Sequence, residues 1–209
     1  MAQKKITILD GHALLYRSYY AINKNLHAPD GSPTGAIFGF VQTIRNLIGQ
    51  HRADVIIAAF DSHGPTFRHD FYADYKATRQ PMPDDLRAQI PVCLDVCDAY
   101  GVPRVQVERY EADDLIATMT KQATAAGNRV IIVTGDKDLM QLVNDEVQIL
   151  DIKSDEMIDS AGVERIKGVR PDQIADWLAL VGDTSDNIPG VSKIRSEERR
   201  VGKECRSRW

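Results

Sequence analysis

The chain has 209 residues, 43% of them hydrophobic and 27% charged, with 26 Lys/Arg against 30 Asp/Glu. That length allows one α/β domain with its own core, or a domain with a small appendage, and no Gly/Ser, Pro or Gln tract points to a long disordered region. No apolar run approaches the roughly 20 residues needed to span a bilayer, and residues 1–9 lack the apolar core and cleavage site of a secretory signal, so a membrane partner is not expected and the default location is the cytoplasm.

Three short apolar runs end in an acid. Residues 6–9 lead into Asp10, residues 55–60 into Asp61, and residues 130–134 through Gly135 into Asp136. Each reads as a strand buried on both faces. Periodicity predicts helices over 37–50, 84–100 and 112–126, the last closed by Gly127-Asn128. Shorter apolar runs at 102–107 and 147–152 are candidates for further strands. The alternation predicts an α/β fold with a mostly parallel central sheet and helices on both faces. Such sheets bind ligands in the crevice beyond the strand carboxyl ends, where these acids fall. Cys93 and Cys97 sit four apart on the expected 84–100 helix, with no CxxC pair and only scattered histidines. Helix packing is the expectation for both, and neither a disulfide framework nor a zinc site is.

From Gly168 the pattern changes to a helix with Pro171 near its start, over 171–180. A turn-rich stretch follows, Gly182-Asp183-Thr184-Ser185-Asp186-Asn187-Ile188-Pro189-Gly190-Val191, after which a second helix is expected. No repeat of solenoid length is present. Residues 195–209 then shift abruptly in composition and show no periodicity. They resemble the in-frame translation of a sequencing-library adaptor and are set aside as a suspected non-native tail; a natural basic tail for nucleic acid is the alternative. Without the tail's six basic and three acidic residues, 20 basic residues face 27 acidic ones, a formal charge of −7. Net charge alone therefore argues against phosphate binding. The placement of the acids carries more information.

Nine carboxylates recur at strand ends or helix starts: Asp10, Asp61, Glu111, Asp113, Asp114, Asp136, Asp138, Asp183 and Asp186. Parallel neighbouring strands would gather them at one pole, which is unfavourable unless cations neutralise them. The expected ligand is a hard divalent ion, Mg²⁺ or Mn²⁺. Two such ions about 3.5–4 Å apart can stabilise the attacking and leaving oxygens of an in-line phosphodiester displacement. Any single Asp here is better explained as a helix cap or a dipole partner than as a metal ligand. Five separated acidic elements together favour a metal cluster over coincidental caps.

The motifs Leu9-Asp10-Gly11 with Tyr16-Arg17, Pro33-Thr34-Gly35-Ala36, Ala59-Phe60-Asp61, Tyr75-Lys76 with Arg79, and Pro81-Met82-Pro83-Asp84-Asp85-Leu86 are followed by Glu111-Ala112-Asp113-Asp114, Thr134-Gly135-Asp136-Lys137-Asp138 and the 182–191 turn. In this order they resemble the 5′ to 3′ exonuclease domain at the N-terminus of bacterial DNA polymerase I and, more distantly, the flap endonucleases. The resemblance implies a catalytic α/β domain over 1–167 with a helical arch through the 81–86 region. It also implies the first part of a helix-hairpin-helix over 168–194, which the tail interrupts after Ser192-Lys193-Ile194.

The implied activity is structure-specific hydrolysis of DNA phosphodiester bonds at 5′ ends or flaps, in repair and primer removal. Asp10, Asp61, Glu111, Asp113 and Asp114 would surround the ion nearer the scissile phosphate, and Asp136, Asp138, Asp183 and Asp186 the second. Lys76 and Arg79 would act catalytically at the base of the arch by stabilising developing charge. Tyr75 would stack on a base or pack in the core. Gly35 would open a helix whose amides hold a phosphate, or serve as a plain helix entry. Arg17 and Gly190 complete the implied DNA contacts. A K⁺ ion belongs only to a complete helix-hairpin-helix. The implied partners are DNA, in the nucleoid, and a polymerase domain in the same polypeptide. Two other readings compete: a non-catalytic DNA-binding fragment of the same fold, and a metal-dependent small-molecule phosphatase that leaves Lys76, Arg79 and the 185–191 turn unexplained.

Overall fold

Apolar, β-branched runs make the centre of the sheet. In the computed structural model, which describes residues 3–22 and 26–191, the strands are β1 (Lys5–Asp10), β2 (Val55–Ala59), β3 (Arg104–Val105), β4 (Arg129–Thr134), β5 (Val147–Asp151) and β6 (Met157–Ile158). Their order is β3-β2-β1-β4-β5-β6, with β1 to β5 parallel and β6 antiparallel at the edge. The chain winds outward in one direction from β1 through β2 and β3 and in the other from β4. The junction of β1 and β4 is therefore the topological switch point, where such sheets open a crevice at the strand carboxyl ends.

Side chains alternate between two cores. Leu9, Ala58, Val133 and Leu150 face one side, against α1 (Gly11–Ala21), α2 (Gly35–Gly49) and α5 (Ile90–Ala99). Ile8, Ala59, Ile132 and Ile149 face the other, against α6 (Ala112–Ala125), α7 (Ser160–Lys167) and α8 (Ile174–Val181). The buried strands thus have helices on both faces, as their continuous apolar character predicts.

The structure departs from the sequence expectations at several elements. Helix α1 has no strong apolar period to announce it. It starts because Asp10, the last residue of β1, accepts a hydrogen bond from the Ala13 amide at 3.0 Å and so caps it. Helix α7 likewise rests on caps, with the Asp159 side chain accepting from the Gly162 amide and Gly168 closing it at φ 78°. The expected 84–100 helix divides into α4 (Asp84–Arg87) and α5, because Pro91 in the first turn of α5 has no amide to donate back. Gln89, at the break, turns inward. The implied arch consists of α3 (Arg68–Phe71), turns over 73–78 and α4, two single-turn helices rather than one long one.

At the C-terminal side, a 3-10 turn (Pro171–Gln173) runs into α8, followed by the antiparallel pair β7 (Gly182–Asp183) and β8 (Ile188–Pro189). Gly182 adopts φ 75°, and a Cβ there would come within 2.2 Å of the Gly190 nitrogen. Both glycines are needed for this close approach. Ile174 is fully buried within the second core, so this segment packs onto the sheet domain. The Ser192-Lys193-Ile194 segment, the expected second helix and the 195–209 tail lie outside the described residues.

Candidate active site

All nine sequence-predicted carboxylates lie on elements that begin or end at one pole of the sheet. Asp10, 5% exposed, ends β1, and its Oδ2 accepts from the Thr134 hydroxyl at the end of β4 at 2.9 Å, across the switch point. Gly11 follows because a Cβ there would meet the Phe60 ring at 2.4 Å. Asp61, just beyond β2, accepts from the Ala112 amide at 2.8 Å, which ties it to the first turn of α6. Glu111 caps α6 in a reciprocal capping box with Asp114, and Asp113 projects from the same turn. Asp136 follows β4 and accepts from the Asp138 amide at 2.8 Å, within a strand-to-helix turn leading into a 3-10 helix (Asp138–Leu142). Asp183 lies in β7 and Asp186 in the turn before β8.

Crowding leaves a mark on the protonation of these groups. Burial, then repulsion from Asp136, Asp10 and Asp61, pushes Asp113 up to about 8. Asp10 is pushed up to about 6, mainly by burial with Asp61 and Asp136 adding to it, although the Ala13 amide and Thr134 hydroxyl oppose this. Asp138 rises to about 6 through burial and the charges of Asp136 and Asp183. For Asp114, burial is outweighed by a bidentate pair with Arg68, both contacts at 2.8 Å, and its carboxyl is held below the ordinary range. At Asp183 burial is likewise outweighed, by the hydroxyl and amide of Ser185.

The partition into five and four ligands is not a clean division in space. Asp136 acts electrostatically on Asp10 and Asp113 of the first set and on Asp138 of the second. Tyr75 joins the sets through its hydroxyl, which lies 3.0 Å from Glu111 Oε2 and 2.9 Å from Asp186 Oδ2. Tyr75 is 6% exposed, so of the two expectations for it the packed one matches this geometry. Burial and the two carboxylates push its phenol well above the usual range.

Residues 72–79 lie across the carboxylates and are tied to the 184–187 turn. Lys76, at φ 58°, donates its amide to the Asp186 carbonyl at 3.0 Å and places Nζ 2.8 Å from Glu111 Oε1. Arg79 pairs with Asp186 at 2.5 Å and reaches the Ser185 carbonyl at 3.1 Å. Tyr72 donates to the Asn187 carbonyl, and Asn187 to that of Asp74. Both expected cations are therefore at the site.

Other DNA-contact expectations fare differently. Arg17 lies about two turns along α1 from Asp10 and approaches the Lys153 carbonyl at 3.4 Å. At the start of α2, Gln89 Oε1 accepts from the amides of Ala36 and Ile37 at 2.8 and 3.2 Å. Those two amides are capped from inside the protein, which favours the plain helix entry for Gly35. Gly190 is required by its contact with the 181–182 backbone. Sequence reading missed Arg68, Gln89 and Lys167, whose partners lie 46, 53 and 10 or more residues away and leave no local pattern.

Among the described residues no group of three or more His, Cys, Asp or Glu side chains stands ready to hold an ion directly. The donor set nevertheless suits a hydrated hard cation, since Mg²⁺ usually takes one or two carboxylates and keeps several waters. The raised protonation of Asp10, Asp113 and Asp138 is what such a cation would relieve.

Residues 5–168 match the family described as "5′-3′ exonuclease, N-terminal resolvase-like domain". The chain is 41% identical over 196 residues to DNA polymerase I of Caldicellulosiruptor bescii, covering 91% of this chain and 23% of that protein. It is 39% identical over 191 residues to a 5′-3′ exonuclease of Aquifex aeolicus, covering 91% of this chain and 66% of the other. The chain thus spans under a quarter of the first and about two thirds of the second. A solved structure of the bacteriophage T5 D15 flap endonuclease, in complex with DNA and metal ions, superimposes with a TM-score of 0.80 at 21% identity, covering 96% of this chain and 75% of the other. That likeness shows a shared fold, and the sequence matches go further: the chain belongs to the family of 5′-3′ exonuclease N-terminal, resolvase-like domains.

Proposed function

We propose that this chain is a structure-specific 5′ to 3′ exonuclease and flap endonuclease, hydrolysing DNA phosphodiester bonds with two divalent ions, Mg²⁺ being the favoured species. The observation that carries this reading is the gathering of carboxylates from β1, β2, α6, β4 and β7 at one pole, with Lys76 and Arg79 laid across them. Asp10, Asp113 and Asp136 are the best-placed acids for the first ion, and Asp136, Asp138, Asp183 and Asp186 for the second. When bound, the ions supply activation of water and stabilisation of charge on the phosphate.

The chain's own residues do the rest. Lys76 and Arg79 hold positive charge beside the carboxylates, where it can meet the non-bridging oxygens of a scissile phosphate. Arg68 and Thr134 fix the rotamers of Asp114 and Asp10, and the Ala112 amide that of Asp61. The 168–194 segment is read as the start of a helix-hairpin-helix that grips duplex, with K⁺ bound only where that element is complete. DNA with 5′ ends or flaps is the proposed partner, together with a linked polymerase domain as in the polymerase relatives.

The test is cleavage of a labelled 5′-flap oligonucleotide by this protein. Cleavage that needs Mg²⁺, stops with chelator and is lost in Asp113→Asn is expected. An inert protein, or an Asp113→Asn variant as active as the parent, refutes the reading.

A further inference from the structure

Three of the cations at this pole are paired. Arg68 holds Asp114 at 2.8 Å, Lys76 holds Glu111 at 2.8 Å and Arg79 holds Asp186 at 2.5 Å. Lys167, the last residue of α7, is held differently. Its Nζ sits 4.5 Å from the centroid of the Trp177 ring on α8, and it forms no ion pair within 4.0 Å among the described residues. It lines a cavity of about 580 Å³ together with Arg79, Lys137, Trp177 and the carboxylates Asp136, Asp138, Asp183 and Asp186.

This placement has a physical logic. A lysine drawn to the nearest carboxylate would neutralise it and close the cavity. Here an aromatic face supports the ammonium outside ion-pair reach of the acids and leaves its three donors free to meet an anion. The cavity is within the size range of ordinary ligand pockets. Its acids are committed to cations in the nuclease reading, which leaves Lys167, with Lys137 beside it, to balance the negative charge of whatever enters.

We propose that Lys167, seated on Trp177, binds a backbone phosphate of the DNA on the side of the site formed by α7, α8 and β7. This rests on the nuclease reading above. It makes Lys167 a DNA-positioning residue, remote in sequence from Lys76 and Arg79, whose contact is with phosphate and carries no base preference.

The test is binding of a 5′-flap oligonucleotide in Ca²⁺, followed by fluorescence anisotropy across a KCl series. Lys167→Met keeps the side-chain length and packing on Trp177 but removes the charge. It should weaken binding equally across flap sequences and lower the slope of log K against log salt by about one, with Lys167→Arg restoring it. Thermal unfolding separates this from a purely structural role. A lower melting temperature with an unchanged salt slope makes the lysine only a staple between α7 and α8 and overturns the proposal. Amine acetylation of the unmodified protein, read by peptide mass, guards against a variant that fails to fold: DNA should protect Lys167 and leave the exposed Lys121 reactive. Equal labelling of Lys167 with and without DNA also overturns it. Absence of any metal-stimulated binding by the parent protein sinks the nuclease reading itself.

Discussion

Asp113 concentrates the conflict between stability and function at this site. Its carboxyl is raised to about 8, so the native state holds its proton more tightly than the unfolded state, where the group titrates near 4. The native state then gains stability below about pH 4 and loses that gain as pH rises toward 8. Asp10 and Asp138, each raised to about 6, act in the same direction over the lower part of that window. In chelator, the melting temperature should therefore fall between pH 4 and 8. Asp113→Asn should flatten that fall and melt higher at pH 8, while losing cleavage on the order of 100-fold or more, the upper range seen when metal-site support is removed. Melting curves across pH and single-turnover cleavage check the two halves; a variant less stable than the parent at pH 8 in chelator contradicts the assignment. Cys93 and Cys97 illustrate the opposite case. Burial pushes their thiols to about 12 and about 11, so iodoacetamide at pH 8 should leave both unmodified until the protein is unfolded in urea. Intact-mass measurement reads this directly.

At the scale of elements, long-range side-chain caps decide where helices begin. Gln89, 2% exposed, accepts from two amides at the start of α2 and donates to the Asp85 carbonyl at 2.8 Å, joining α2 to the α4–α5 break. Gln89→Leu would bury those donors without a partner. It should cost about 1–3 kcal/mol in urea unfolding, against little change if the amides find water instead. The 72–79 segment is joined to the 184–187 turn by backbone and side-chain bonds, with the Tyr75 hydroxyl at their centre. Tyr75→Phe leaves both carboxylates without this donor. Limited proteolysis of the metal-free protein should then cut near residues 73–80 faster, and cleavage at an unchanged rate would show that other contacts hold the segment.

For the whole molecule, an acidic chain approaches polyanionic DNA through a pole whose charge depends on bound ions. A ligand that binds only the folded state at 100 times its dissociation constant adds about 2.7 kcal/mol, which for a chain of this size corresponds to about 5–10 °C in melting temperature. Saturating Mg²⁺ should produce a rise of that order at pH 8, and Asp136→Asn should remove most of it, since Asp136 faces both sets of acids. A rise that survives this substitution would place the ions elsewhere.

Much of this was legible in residue order. The apolar runs ending in Asp10, Asp61 and Asp136 and the first turn of α6 placed the acids at one pole, because a buried parallel strand requires an unbroken β-branched run and its chain must leave at the carboxyl end. The paired charges were not legible. Arg68 with Asp114, Arg79 with Asp186 and the Tyr75 bridge join residues 46, 107 and 111 positions apart. Nor was Lys167 visible, because a lysine closing a short helix looks like an ordinary partner for the helix dipole until α8 brings Trp177 beneath it. Sequence alone determined the buried parallel strands, the acidic pole and the family, since these rest on local periodicity and motif order, whereas the short strands β6, β7 and β8 left no such pattern. Only the tertiary structure decided which acids are shared, which are paired and which cations face the cavity, because those depend on distances across elements that no local pattern records.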